Sequence, residues 1–171
     1  MKIIIISVLF VMSVSYLFAQ NISDTISVRP MNNINLNILG DASIVSLNYE
    51  RLFFITPGIF ISGDLGIGLN QEFTLNLDGS GSSTPDTYLT IPHHITGNIG
   101  KGKHFFEFGM GGTIINGFPD KKYFLYPIIG YRLHPLKSNK VNFRIFATLL
   151  HNGEDTEIYI LPLGLSLGIC F

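Results

Sequence analysis

From Ile59 to Asn70 the chain alternates between two unlike kinds of side chain. Ile59, Ile61, Leu65, Ile67 and Leu69 share one side with Gly63, while Phe60, Ser62, Asp64, Gly66, Gly68 and Asn70 share the other. Successive side chains of a strand point to opposite faces. A period of two therefore predicts a strand with one large apolar face and one small, polar face. The C-terminus repeats the design. Tyr159, Leu161, Leu163, Leu165, Leu167, Ile169 and Phe171 fall on one face, with Ile160, Pro162, Gly164, Ser166, Gly168 and Cys170 on the other.

The small face separates the all-β architectures. In a soluble sandwich the face opposite the core meets water and carries Lys, Glu, Thr and Gln. A lipocalin-like soluble barrel puts its apolar residues inside. A face of Gly and Ser with an occasional charge instead fits the narrow interior of a small barrel whose apolar face meets lipid. Composition points the same way. Charged residues make up 13% of the chain, hydrophobic residues 46%, and mean hydropathy is +0.36. That charge is about half the usual share of a soluble domain, too little to cover a water-facing surface, and the balance is the reverse of a disordered chain's. A net charge of -1 supplies no field for nucleic acid.

The start of the chain reads as a secretory signal. Lys2 supplies a positive start, Ile3 to Phe18 form an apolar run broken by Ser7, Ser13 and Ser15, and Ala19 is the expected cleavage site. The alternative is an uncleaved anchor, disfavoured because the run is short and serine-broken. Residues 1–19 are thus expected to be a signal peptide, and residues 20–171 one outer-membrane barrel domain. No cysteine follows closely to carry a lipid, and the single cysteine, Cys170, excludes an internal disulfide. Beyond Gln20 no stretch approaches about 18 uninterrupted apolar residues. A membrane protein without such helices must be a closed barrel, because only closure pairs every backbone group in lipid.

Turn signals divide the rest. Strands are expected over Ala42 to Phe53, Ile59 to Asn70, Thr87 to Ile99, His104 to Ile115, Tyr123 to Leu133, Val141 to Leu150 and Ile158 to Phe171. Bacterial barrels of this kind have an even strand number with both termini on the periplasmic side, so one more crossing is needed. Ile34, Leu36 and Ile38 supply it, followed by a tight Leu39-Gly40-Asp41-Ala42 loop; the apolar face moves from even to odd numbers by Val45. A single long strand with a bulge is the alternative. The fold class is therefore all-β, an eight-stranded antiparallel up-and-down transmembrane barrel. On this count the turns near Thr56, Gly102 and Leu136 are periplasmic. The loops near Gly40, Ser80, Pro119 and Gly153 are extracellular, the longest being Glu72 to Asp86.

Charged residues on the small face are the candidate site. Glu50, Asp64, Glu107, Arg132 and Arg144 all take inward parity. Glu50 and Glu107 are expected to pair with Arg132 and Arg144, whose planar forks suit carboxylates. A polar filling for a narrow lumen accounts for such a set better than a gate or proton path. Catalysis is not indicated. His93 and His94 are neighbours in a strand and face opposite sides, and the chain holds no Gly-x-Ser-x-Gly elbow, metal-spaced cluster or phosphate loop. No cofactor, metal or nucleic acid is expected. Eight strands enclose room for little more than side chains, although Gly66, Gly68, Gly109, Gly111, Gly164 and Gly168 leave space for water-filled pockets.

The terminal run Leu165, Leu167, Ile169 and Phe171 resembles the C-terminal assembly signal of bacterial outer-membrane barrels. With the strands and the export signal, the chain resembles small barrels of the OmpA/OmpX type over nearly all its mature length. Ser46-Leu47-Asn48-Tyr49-Glu50-Arg51 and Gly130-Tyr131-Arg132 look like segments that recur in uncharacterised barrels of the Bacteroidota. The resemblance implies a monomeric Gram-negative outer-membrane protein, with membrane lipids and the barrel-assembly machinery as partners. It brings no catalytic residue, and the histidines lack the His-x-Ser pattern of a lipid A deacylase. The expected function is non-enzymatic: a structural or surface-interaction role through the extracellular loops. A narrow channel for small or hydrophobic solutes is the alternative, and a lipid A-modifying enzyme is less favoured.

Overall fold

Eight strands pair in sequence order, each antiparallel to the next, and the last closes on the first. They are β1 Asn32–Ile38, β2 Val45–Thr56, β3 Ile59–Gln71, β4 Thr87–Lys101, β5 His104–Asn116, β6 Tyr123–Leu133, β7 Lys140–Thr148 and β8 Leu163–Cys170. This computed structural model describes residues 29–71, 86–117, 122–138, 140–149 and 162–171. The expected signal segment, most of the Glu72 to Asp86 loop, the His151 to Asp155 loop and the start of the last strand before Pro162 lie outside those residues.

Closure rests on backbone pairing between the ends of the chain. Ile34 sits opposite Ile169, Leu36 opposite Leu167 and Ile38 opposite Leu165. The ladder is completed by Asn32 N to Phe171 O at 3.1 Å and Phe171 N to Asn32 O at 2.9 Å. Among the described residues the sheet therefore has no free edge strand, which removes the usual site of edge-to-edge aggregation.

Alternation sets what each wall presents. In β3 the odd residues face out and the even ones face in, with only Gly63 and Gln71 intermediate on the outer side. Ile95 is 70% exposed and Ile67 64%, whereas Arg132 and Glu107 are 0% exposed. Inside and outside are thus inverted relative to a soluble protein, in which large aliphatics are buried and ions exposed.

The first hairpin differs from the sequence reading. The separate first strand is present, but β2 begins at Val45 rather than Ala42 and runs on to Thr56. Residues 39–44 form the connection, bridged by Leu39 N to Ile44 O at 3.1 Å. This segment turns inward: Asp41 is 0% exposed and Ala42 2%. Its backbone is bent sharply, with positive φ at Leu39, Gly40 and Ala42. Gly40, at φ 84°, is needed there, since a Cβ would lie 2.5 Å from Gly164 Cα. Smaller shifts occur elsewhere. β4 and β5 extend to Lys101 and Asn116, and β7 ends at Thr148.

The lumen is filled in layers. Leu52, Phe60 and Phe105 pack together near the short-turn end, with Phe54 against them. Tyr88, Ile115, Phe124, Tyr126, Ile128 and Phe146 pack together near the opposite end. Between the two apolar layers lie the buried ions.

Candidate functional site

Antiparallel register places like charges side by side on each of two walls. Glu50 on β2 is directly opposite Asp64 on β3, and Arg132 on β6 is directly opposite Arg144 on β7. Like charges so placed repel. In a closed ring of eight strands, however, β2 and β3 stand across the lumen from β6 and β7. The anionic wall therefore faces the cationic wall, and the ions meet in the middle.

Two forked pairs form the centre. Arg132 donates from Nη2 to Glu50 Oε1 at 2.5 Å and from Nη1 to Glu50 Oε2 at 2.9 Å. Arg144 donates from Nε and Nη2 to the two oxygens of Glu107 at 3.1 and 2.7 Å. Arg132 Nε joins the pairs by donating to Glu107 Oε2 at 3.3 Å. Such planar two-point contacts are the strongest way for guanidinium and carboxylate to meet. Asn33 and Asn35 on β1 donate to Glu50 Oε2 at 2.8 and 3.1 Å. Asp64 stands at the rim of the network. Asn48 donates to it at 2.5 Å, while Arg144 Nη1 and His94 Nδ1 approach its oxygens at 3.7 Å. The structure thus brings Glu50, Asp64, Glu107, Arg132 and Arg144 into one layer.

Aromatic rings cover this layer on both sides. The Arg132 guanidinium lies 5.7 Å from the Phe60 ring centre and that of Arg144 lies 5.1 Å from Phe146. Cation–π attraction gains strength where water is excluded, so each apolar layer also holds an arginine in place.

The sequence reading did not single out the groups that stop the two ends. At the loop end, Asp41 enters from the β1–β2 connection and accepts from Asn37 and Ser46 at 3.1 and 2.8 Å. Thr113 and Thr148 donate to the carbonyls of Asp41 and Gly40 at 2.6 and 2.7 Å. His94 Nε2 lies 3.1 Å from Tyr126 Oη, which lies 2.8 Å from Thr113 Oγ1. At the turn end, the residues before β1 cross the mouth. Arg29 is 5% exposed, its guanidinium 5.2 Å from the Phe105 ring centre and 5.9 Å from that of Phe54. His134 Nε2 meets the Pro30 carbonyl at 3.2 Å. Burial, followed by the charge of Arg132, holds the His134 imidazole down at about 4. Strand parity could not find Arg29, Asp41 or His134, because none of them lies in a strand.

The other candidates are less concentrated. Leu165, Leu167, Ile169 and Phe171 form an exposed stripe on the outer wall. His93 faces outward, stacked on Tyr123 with Nε2 3.1 Å from its Oη. The two rings cover Gly112, where a Cβ would lie 2.7 Å from His93 Nε2. Next to them a hollow of 460 Å³ opens on the outer wall, bounded by side chains such as Tyr49, Leu65, Ile95, Met110 and Leu125. Among the described residues no group of three or more His, Cys, Asp or Glu side chains is placed to hold a metal ion.

The fold and this ionic layer define a class: an eight-stranded antiparallel barrel with an apolar outer wall and a closed, charged interior. Comparison with known proteins finds no matching family model, no matching curated protein and no matching solved structure. The functional reading therefore rests on the physical chemistry of the barrel itself.

Proposed function

We propose that this protein is an integral barrel of a Gram-negative outer membrane, exported by residues 1–19, cleaved after Ala19, and acting without catalysis as a structural or surface-interaction protein. The inverted distribution of side chains carries the reading: a continuous apolar wall encloses fully buried ions. In water, that wall would leave dozens of large apolar side chains exposed, far beyond the few hundred Å² tolerated by soluble monomers. In hydrocarbon the same wall is matched to its surroundings, and closure satisfies the backbone. Aromatic side chains supply a second support. Phe53, Phe106, Phe108, Tyr131 and Phe171 are exposed toward the short-turn end of the wall, where a girdle marks the membrane boundary of such barrels.

In this reading, outer-membrane lipids surround the wall, the barrel-assembly machinery receives the stripe ending in Phe171, and the barrel is a monomer. The loops joining β3 to β4, β5 to β6 and β7 to β8 face outward from the cell and carry any contact with an external partner. The filled lumen supports this role over a solute channel. Cell fractionation with gel migration before and after boiling provides the test. The expected result is an outer-membrane fraction whose unboiled form migrates faster. A protein recovered from the soluble periplasm, with the same mobility in both lanes, would show that the reading is wrong.

A further inference from the structure

The short-turn end of the barrel carries an excess of exposed positive charge. At the short-turn end, Lys101 and Lys103 flank the β4–β5 turn, Lys137 and Lys140 flank the β6–β7 turn, and all four are exposed. Arg51 adds a fifth cation on the outer wall of β2, half-buried and donating to Asn32 Oδ1 at 2.5 Å. Among the described residues no Asp or Glu side chain answers them at this end, since Glu50, Asp64 and Glu107 are buried in the lumen. By sequence, the segments 72–85, 118–121 and 150–161 that join the opposite ends hold six acidic residues and one lysine. The segregation is not a consequence of overall charge, which is close to zero at -1.

The lysines occupy neighbouring turns. His134 N donates to the Lys103 carbonyl at 2.8 Å, tying the β4–β5 turn to the end of β6. Lys140 is paired with Cys170, next to Phe171. The four lysines thus span the arc from β4 to β7, at the same end of the barrel as the exposed rings of Phe106, Tyr131 and Phe171. Rings of this kind sit at the level of lipid headgroups, and ammonium groups just beyond them lie among phosphates.

We propose that the short-turn end of the barrel is a docking collar for anionic phospholipid headgroups, read by Lys101, Lys103, Lys137 and Lys140. The inference rests on the membrane reading above and adds a lipid preference to it. Charge complementarity selects the occupant: an uncompensated cationic arc beside an aromatic belt suits a negatively charged amphiphile whose tails lie along the apolar wall. Each basic residue close to an anionic surface favours it roughly fivefold, before screening. Exposed amines are screened over about 8 Å at physiological salt, so the collar as a whole should enrich anionic lipid by roughly tenfold rather than by the product of four such factors.

The full chain, produced in a Gram-negative host and purified, is placed in nanodiscs that mix phosphatidylglycerol with phosphatidylcholine. Lipids retained on the barrel are then counted by native mass spectrometry. The wild type should retain phosphatidylglycerol roughly tenfold above its bulk ratio. The combined variant Lys101→Gln, Lys103→Gln, Lys137→Gln, Lys140→Gln should return to the bulk ratio, while Lys122→Gln, at the other end, should keep the enrichment. Unboiled gel mobility confirms that each variant is folded. Bulk-ratio retention by the wild type, or undiminished enrichment in the combined variant, overturns the collar and leaves the membrane reading standing. A chain that never enters the bilayer overturns both.

Discussion

At the scale of single residues, Arg132 is the most consequential side chain. It is held by both oxygens of Glu50 and one of Glu107, and it rests on Phe60. Arg132→Met keeps much of the volume but leaves Glu50 in the closed lumen with only Asn33 and Asn35 as donors. An unpaired buried charge costs about 3–5 kcal/mol, so the urea midpoint of the refolded barrel in detergent should fall steeply. Arg144→Met should cost less, because Glu107 would still be reached by Arg132 Nε. Equal midpoints for wild type and Arg132→Met would show that the network contributes nothing to stability. His134 makes a separate prediction, one of pH. Burial and the nearby Arg132 charge depress its folded pKa to about 4 from an ordinary 6.5, against smaller raising effects of Glu50 and the Pro30 carbonyl. Between those values the unfolded chain binds a proton that the folded barrel refuses. Stability contributed by the neutral ring is therefore complete above pH 6.5 and is lost as the pH falls through the window toward 4. The loss is on the order of 3 kcal/mol. In chemical melts across this window the wild type should lose stability relative to His134→Gln as the pH falls, and parallel curves would rule out His134 as the source.

At the scale of elements, the β1–β2 connection works as a stopper rather than as a surface loop. Its fold depends on Gly40, whose φ of 84° disfavours any side chain and whose hydrogens lie against Gly164. Gly40→Val should destabilise the barrel by on the order of 3 kcal/mol through backbone strain and the clash together. Amide exchange over Asn37 to Val45 should accelerate first, because a stopper can leave while the strand ladders persist. Gly63→Leu is the contrasting case. A Cβ there meets nothing within 4 Å, so its effect should stay within about 0.5 kcal/mol. These two glycines show where sequence reading succeeds and where it stops. Parity alone assigned Glu50, Asp64, Glu107, Arg132 and Arg144 to the inward face, because a strand fixes side-chain direction with a period of two. It located the first strand as well, since Ile38 and Val45 stand opposite each other across a change of parity. Parity carries no information once regular φ and ψ end. Leu39 to Ile44 were therefore legible as a tight loop, but its inward path was not. That path depends on Thr113 and Thr148, more than a hundred residues away in the case of Thr148 and Gly40. The same limit hid Arg29 and His134, which close the other mouth.

At the scale of the whole molecule, the lumen is crossed by a continuous set of ions and capped at both ends by chain segments. A barrel so filled should pass no ions. Recordings in planar bilayers should therefore show no discrete conductance steps, for wild type or for Gly40→Val, because the Arg132–Glu50 bridge still spans the interior when the stopper is displaced. Regular steps in the wild-type trace would reopen the channel reading. The end of the chain poses a different question, one of assembly rather than stability. Phe171 exposes 49% of its surface on the outer wall and contributes to closure chiefly through its backbone, bonded in both directions to Asn32. Phe171→Ala leaves those backbone bonds available and removes only an exposed ring, a change worth within about 1 kcal/mol in the finished barrel. If the ring serves recognition by the assembly machinery, the variant should refold in detergent with the wild-type urea midpoint and rate. In cells it should accumulate as an unfolded periplasmic species, seen as a loss of the fast-migrating unboiled band. Normal assembly in cells would remove Phe171 from any signal. A matching defect in purified refolding would show that its contribution is to the barrel wall instead.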